Sequence, residues 1–195
     1  MIIPGFLISI ATFPSVIVHE AAHLLFCKWR NVPVVDVRFF RFGNPAGYVI
    51  HAEPADFTSS FLISVGPFII NSLLCIVICL PIYAPMRLFG LTDPLLYGSA
   101  VHVLPRINIF GQTGPLSYAV LWLGISIGMH AFPSTQDASN LWQAAKAAAR
   151  GGDLLAIVSF PLVIVIYLAN FGSIFWFDYL YGLALGFWLP SLLLN

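Results

Sequence analysis

His19-Glu20-Ala21-Ala22-His23 is an H-E-x-x-H pattern inside a long apolar run. Residues four apart on a helix share one face, so the two imidazoles can grip one metal ion while Glu20 reaches a water bound to it. A carboxylate buried in an apolar helix costs about 2.5–3.5 kcal/mol on insertion scales, a cost usually tolerated only for function. A catalytic zinc site needs one more protein ligand and one open position. Glu53, Asp56, His51, His102, His130 and Asp137 are the candidates for that ligand.

The elements that must position these groups follow from composition and periodicity. Hydrophobic residues make up 59% of the 195 and charged residues only 8%, with a mean hydropathy of +0.92. A water-facing surface needs about 25% charge, so the outer surface must meet lipid. Eight basic residues balance eight acidic ones without clustering, which excludes disorder and nucleic-acid binding. The expected fold is an all-α polytopic membrane protein, one integral domain over residues 1–195, with about five transmembrane helices and a small membrane-associated β-hairpin.

Apolar runs place the spans at Ile2–Cys27, Phe57–Tyr83, Gly114–His130, Leu154–Asn170 and Ile174–Leu194. The last two are joined around Phe171 and Gly172 as a helical hairpin. The first apolar run is too long for a signal-peptide core and is expected to remain on the mature chain. Alternation with a period of two from Val34 to Glu53, broken by Gly43-Asn44-Pro45-Ala46-Gly47, predicts the β-hairpin. Residues 134–150 predict a short surface helix with Trp142 toward the membrane, and Pro85–Gln112 is too rich in proline and glycine to span. Cys27, Cys75 and Cys79 lie in apolar runs and read as small core residues. Lys28, Arg30, Arg38, Arg41, Lys146 and Arg150 on one side, against Arg87 and Arg106 on the other, put the amino terminus outside and the carboxyl terminus in the cytoplasm. Trp176, Tyr179 and Tyr181 are then expected in the outer interfacial belt, with Asp178 at the outer end of the fifth helix.

Depth narrows the third ligand. His19 and His23 lie about 6–15 Å below the cytoplasmic end of the first helix. His130 and Asp137 fall at comparable depth, His102 lies on the outer side, and His51 and Glu53 can reach only by a fold-back of the hairpin. Pro133 breaks the third span, and irregular backbone at depth needs protein or a water cavity to satisfy it. Ser134 with Asp137 is also a capping box for the next helix, so ligation and capping are both open for Asp137. His130 can be a ligand, an orienting donor or an oxyanion-stabilising group.

Three pieces resemble the site-2 protease family of intramembrane zinc metalloproteases, in the family's order: His19-Glu20-x-x-His23, then Gly66-Pro67 with Asn71, then Pro133 followed by Asp137. The hairpin is similar to the family's membrane-associated β segment, and together the resemblance covers roughly residues 15–140. Ala138 stands where the family has glycine, and His130 stands where it has asparagine, so the chain resembles a divergent, minimal member. The resemblance implies Zn²⁺ held by His19, His23 and Asp137, Glu20 as general base, and a substrate or transition-state role for His130 or Asn71. It implies hydrolysis of membrane-embedded substrate helices near the cytoplasmic side, with a transmembrane protein substrate and the lipid bilayer as partners. Strand addition to the hairpin, with Pro14 and Pro67 loosening helices, would receive an unwound substrate. The competing reading is a membrane metal-ion transporter using the same histidines, for which the outer halves of the helices are nearly bare of ligands apart from Asp178 and His102.

Overall fold

A computed structural model describes residues 5–83, 108–109, 112–113 and 115–193. The protein is mostly helical with two small two-stranded antiparallel sheets, the second pairing only Asn108–Ile109 with Gln112–Thr113. The expected first span is two helices, α1 (Gly5–Ala11) and α2 (Phe13–Trp29), bent by 91° at Thr12. Pro14 in the first turn of α2 has no N–H to return to α1, and the Thr12 hydroxyl donates instead to the Ile8 carbonyl at 2.7 Å. A hydropathy count registers apolar residues but not this break. After α2, Asn31 takes a left-handed turn at φ 54°, a conformation its short polar side chain tolerates, and the chain enters the hairpin.

The predicted hairpin is present. β1 (Val34–Arg38) pairs with β2 (Tyr48–His51) in the register Val34↔His51, Asp36↔Ile50, Val37↔Val49 and Arg38↔Tyr48, with a bulge between Val34 and Asp36. Its turn leans on α2. A Cβ on Gly47 would lie 2.7 Å from Glu20 Cγ, so only glycine lets the backbone approach that carboxylate.

Helix α3 (Phe57–Tyr83) begins at Asp56, whose carboxylate accepts from the Ser59 N–H at 2.8 Å and the Ser59 hydroxyl at 2.7 Å. These bonds, with Arg30 3.6 Å away, hold the Asp56 carboxyl below the usual carboxylate range. Asp56 is therefore a cap and not a ligand. α4 (Pro115–Met129) has 15 residues, about 22 Å at 1.5 Å per residue and short of the roughly 30 Å hydrocarbon core. α5 (Thr135–Arg150) leads through three residues into α6 (Leu154–Gly172). A 3₁₀ turn (Ser173–Phe175) and a left-handed Trp176 precede α7 (Phe177–Leu183), a π-turn (Ala184–Trp188) and α8 (Leu189–Leu193). The expected fifth span is thus helical but irregular, because Pro190 withholds an i→i−4 hydrogen bond. Among the described residues two helices are long and apolar enough to cross a membrane, Phe57–Leu80 and Leu154–Phe175, and three if the bent α1–α2 pair is one span. Most of Pro85–Gln112 lies outside the described residues.

Two packing contacts bear on the site. α5 is not a free surface helix: Ala138, Leu141 and Ala145 are fully buried in a core shared with Phe57 and Val65 of α3 and with Val163 and Ile166 of α6. Trp142 meets the Phe160 ring at 4.9 Å. α3, α4 and α7 pack through small residues, with Cys75 and Cys79 fully buried against Gly124, Gly128 and Gly186, as expected for core thiols. A Cβ on Gly182 would stand 2.7 Å from the Ile125 carbonyl oxygen and 3.1 Å from the Met129 nitrogen. Backbone cannot yield as a side chain can, so Gly182→Ala is expected to destabilise the protein by about 1–3 kcal/mol, read as a lower thermal midpoint in detergent.

Candidate metal centre

The α2 register brings His19 and His23 together with ring centroids 4.9 Å apart. His19 Nδ1 lies 2.6 Å from the His130 carbonyl oxygen and His23 Nδ1 lies 2.9 Å from that of Ile63. A carbonyl only accepts, so both Nδ1 atoms carry a proton, which leaves Nε2 as the atom through which each neutral imidazole can ligate. This is the outer-shell arrangement that fixes the tautomer and aim of metal-ligating histidines. Asp137 Oδ2 lies 3.5 Å from His23 Nε2, and ligand atoms of His19, His23 and Asp137 all lie within 4.8 Å of one another. Two imidazole nitrogens and a carboxylate oxygen form a donor set that suits zinc with a fourth position open.

Asp137 does both things that its sequence position allows. Its Oδ2 accepts from the Ser134 N–H at 2.8 Å and the Ser134 hydroxyl at 2.6 Å, while the Asp137 N–H donates to Ser134 Oγ at 3.1 Å. The capping box that starts α5 is what aims the carboxylate at the histidines. Burial works to raise this carboxyl, but His23, His19 and the Ser134 hydroxyl outweigh it and hold the group ionised.

No protein-family model matches the chain, and no curated protein or solved structure is significantly similar to it. Functional assignment rests on geometry.

Glu20 is buried beside His19 and lines a cavity of about 440 Å³ whose walls include Gly47, Tyr48 and His51 of the hairpin and Asp178 of α7. His130 is not in the ligand cluster. Its backbone carbonyl orients His19, and Asn71 Nδ2 donates to the same oxygen at 2.9 Å. Asn71, fully buried in α3, thus acts on the metal centre through the His130 carbonyl. Asn71→Leu is expected to weaken binding of a metal ion at this site by about 10–100-fold, the usual cost of losing an outer-shell partner, measured by titrating metal-free protein against a chromophoric chelator. Of the remaining candidates, His51 lines the cavity, Glu53 is exposed outside it, and His102 lies outside the described residues.

Some participants were not foreseen. Carbonyl partners such as Ile63 carry no residue-type signal. Asp178 was expected at the outer membrane face, yet it shares the cavity with Glu20. Tyr181, expected in the interfacial belt, points inward, hydrogen-bonded to Ser72 at 2.8 Å and packed on Phe132 at 4.7 Å.

Proposed function

We propose that the protein is an intramembrane zinc metalloprotease that hydrolyses peptide bonds of membrane-embedded protein segments, similar to the site-2 proteases. The observation that carries this reading is the convergence of His19, His23 and Asp137 beside a buried Glu20 that opens on a cavity. When bound there, zinc supplies a Lewis acid and lowers the pKa of a water toward about 7. Glu20 takes a proton from the attacking water as its oxygen bonds to the scissile carbonyl carbon, then passes that proton to the amine as the C–N bond breaks. His19 and His23 are held in the ligating tautomer by backbone carbonyls, and Asp137 is held by Ser134, so little reorganisation is needed.

A substrate helix must unwind before its carbonyl is accessible. β2 lines the cavity and has no partner strand on its second side among the described residues, which suits it to receive an extended segment by strand addition. In this reading α4 and the α7–α8 helix complete a five-pass arrangement with the amino terminus outside. Transport is less well supported, since the described residues hold one ligand cluster and no second station along a path. The test is reconstitution in liposomes with a membrane-spanning peptide. Chelation is expected to abolish cleavage and added zinc to restore it, whereas zinc-loaded protein that cleaves no such peptide would overturn the proposal.

A further inference from the structure

The cavity wall beyond the metal centre can be read by counting donors. Asn170 spends both amide hydrogens inside the protein, on the Pro133 carbonyl and the Ile166 carbonyl at 3.0 Å each. Only its oxygen is left to act. The Ser173 hydroxyl donates to the Ala169 carbonyl at 3.1 Å, leaving its lone pairs. The Ser15 hydroxyl donates to the Thr12 carbonyl, so Ser15 Oγ, 2.9 Å from His130 Nδ1, must accept there. His130 Nδ1 also lies 3.2 Å from the Ser126 carbonyl, and both partners require a proton on Nδ1. Neutral His130 therefore offers only the Nε2 lone pair. Asp178 accepts only local backbone bonds among the described residues, from the Tyr179 N–H to Oδ1 at 2.9 Å and from its own N–H, so its carboxylate keeps acceptor capacity. Asn170, Ser173, His130 and Asp178 all line the cavity that holds Glu20, and among the described residues no lysine or arginine lines it.

This group of four presents acceptors and a carboxylate while its own side-chain donors are already committed. Its complement is a group rich in donors and positively charged. Resting on the protease reading above, we propose that Asn170, Ser173, His130 and Asp178 form a specificity subsite for a basic side chain of the substrate, arginine or lysine, within a few residues of the scissile bond. An extended chain advances about 3.3 Å per residue, so a segment added along β2 carries successive side chains through the cavity that these residues line. In this apolar surrounding a cation without such partners would be strongly disfavoured, so the wall selects which unwound segment can settle.

The experiment uses the full-length protein in liposomes and a series of membrane peptides that differ at one position near the cleavage point, bearing arginine, lysine, methionine or glutamate. Wild-type protein is expected to favour arginine or lysine over methionine by about tenfold or more in kcat/KM, because buried acceptors left unpaired penalise the neutral analogue. Asp178→Asn is expected to bring that ratio close to one, and Asp178→Lys to shift preference toward the glutamate peptide, with zinc content reporting that each variant is folded. Equal kcat/KM for arginine and methionine in wild type, or an undiminished ratio in zinc-loaded Asp178→Asn, overturns the subsite. Binding of the same peptides to zinc-loaded Glu20→Gln provides a second readout that needs no cleavage. If no peptide is cleaved but the arginine peptide binds at least tenfold tighter than the methionine one, the subsite stands and the protease reading fails.

Discussion

Glu20→Gln is expected to keep zinc at the wild-type level and to lower cleavage of a membrane peptide by about 10²–10⁴-fold, the usual worth of a general acid–base group. The two side chains have nearly the same shape, so the close packing against Gly47 is preserved. The metal ligands keep their orienting bonds, since His19 and His23 are fixed by the His130 and Ile63 carbonyls and not by Glu20. The variant loses only the capacity to take a proton. The relevant measurements are zinc per protein by atomic emission and single-turnover cleavage in liposomes. Cleavage within tenfold of wild type would show that Glu20 is not the base. Loss of zinc would show that the carboxylate belongs to the metal shell.

The sequence made the centre legible where local periodicity decides geometry. Positions 19, 20 and 23 fall on one helical turn in any helix, so the spacing carries the arrangement. Asp137 was legible more weakly, because Ser134 and Asp137 form the same capping box whether or not a metal lies nearby. Its approach to the two histidines depends on where α5 starts in space, which local pattern does not encode. The carbonyls of Ile63 and His130 were invisible for a deeper reason: every residue has one, and only tertiary packing selects which meets an imidazole.

The fold shows the same division. The hairpin follows from a period of two and the helical segments over 57–83 and 154–170 from long apolar runs, but the bend at Thr12 and the π-turn before Pro190 do not, because summed hydropathy ignores backbone donors. The neighbours of Asp178 were hidden by that simplification. A regular span-by-span alternation puts residue 178 on the opposite membrane face from His19. In the fold, α6 ends beside Pro133 through Asn170, and the 3₁₀ turn then brings Asp178 into the cavity.

The second large effect separates the two roles of Asp137. Asp137→Ala is expected to weaken zinc binding by more than the 10–100-fold typical of outer-shell changes, with cleavage lost in proportion. It also removes the acceptor for the Ser134 N–H and hydroxyl, so metal-free protein should be destabilised by about 0.5–2 kcal/mol, the usual value of a helix cap. Asp137→Asn makes a sharper test. Its amide oxygen can accept the same two hydrogen bonds and start α5 in the same place, but it carries no charge and is a poor zinc ligand. Both variants lose the attraction to the buried His23 3.5 Å away, so metal-free Asp137→Asn should be more stable than metal-free Asp137→Ala by the value of the cap, about 0.5–2 kcal/mol, while zinc binding and cleavage fall nearly as far as in Asp137→Ala. The comparison must be made without metal, since a ligand that binds only the folded state stabilises it by mass action and would hide the cap. Wild-type zinc affinity in Asp137→Asn would move the third ligand elsewhere, and His51, which faces the same cavity from β2, would be the residue to substitute next.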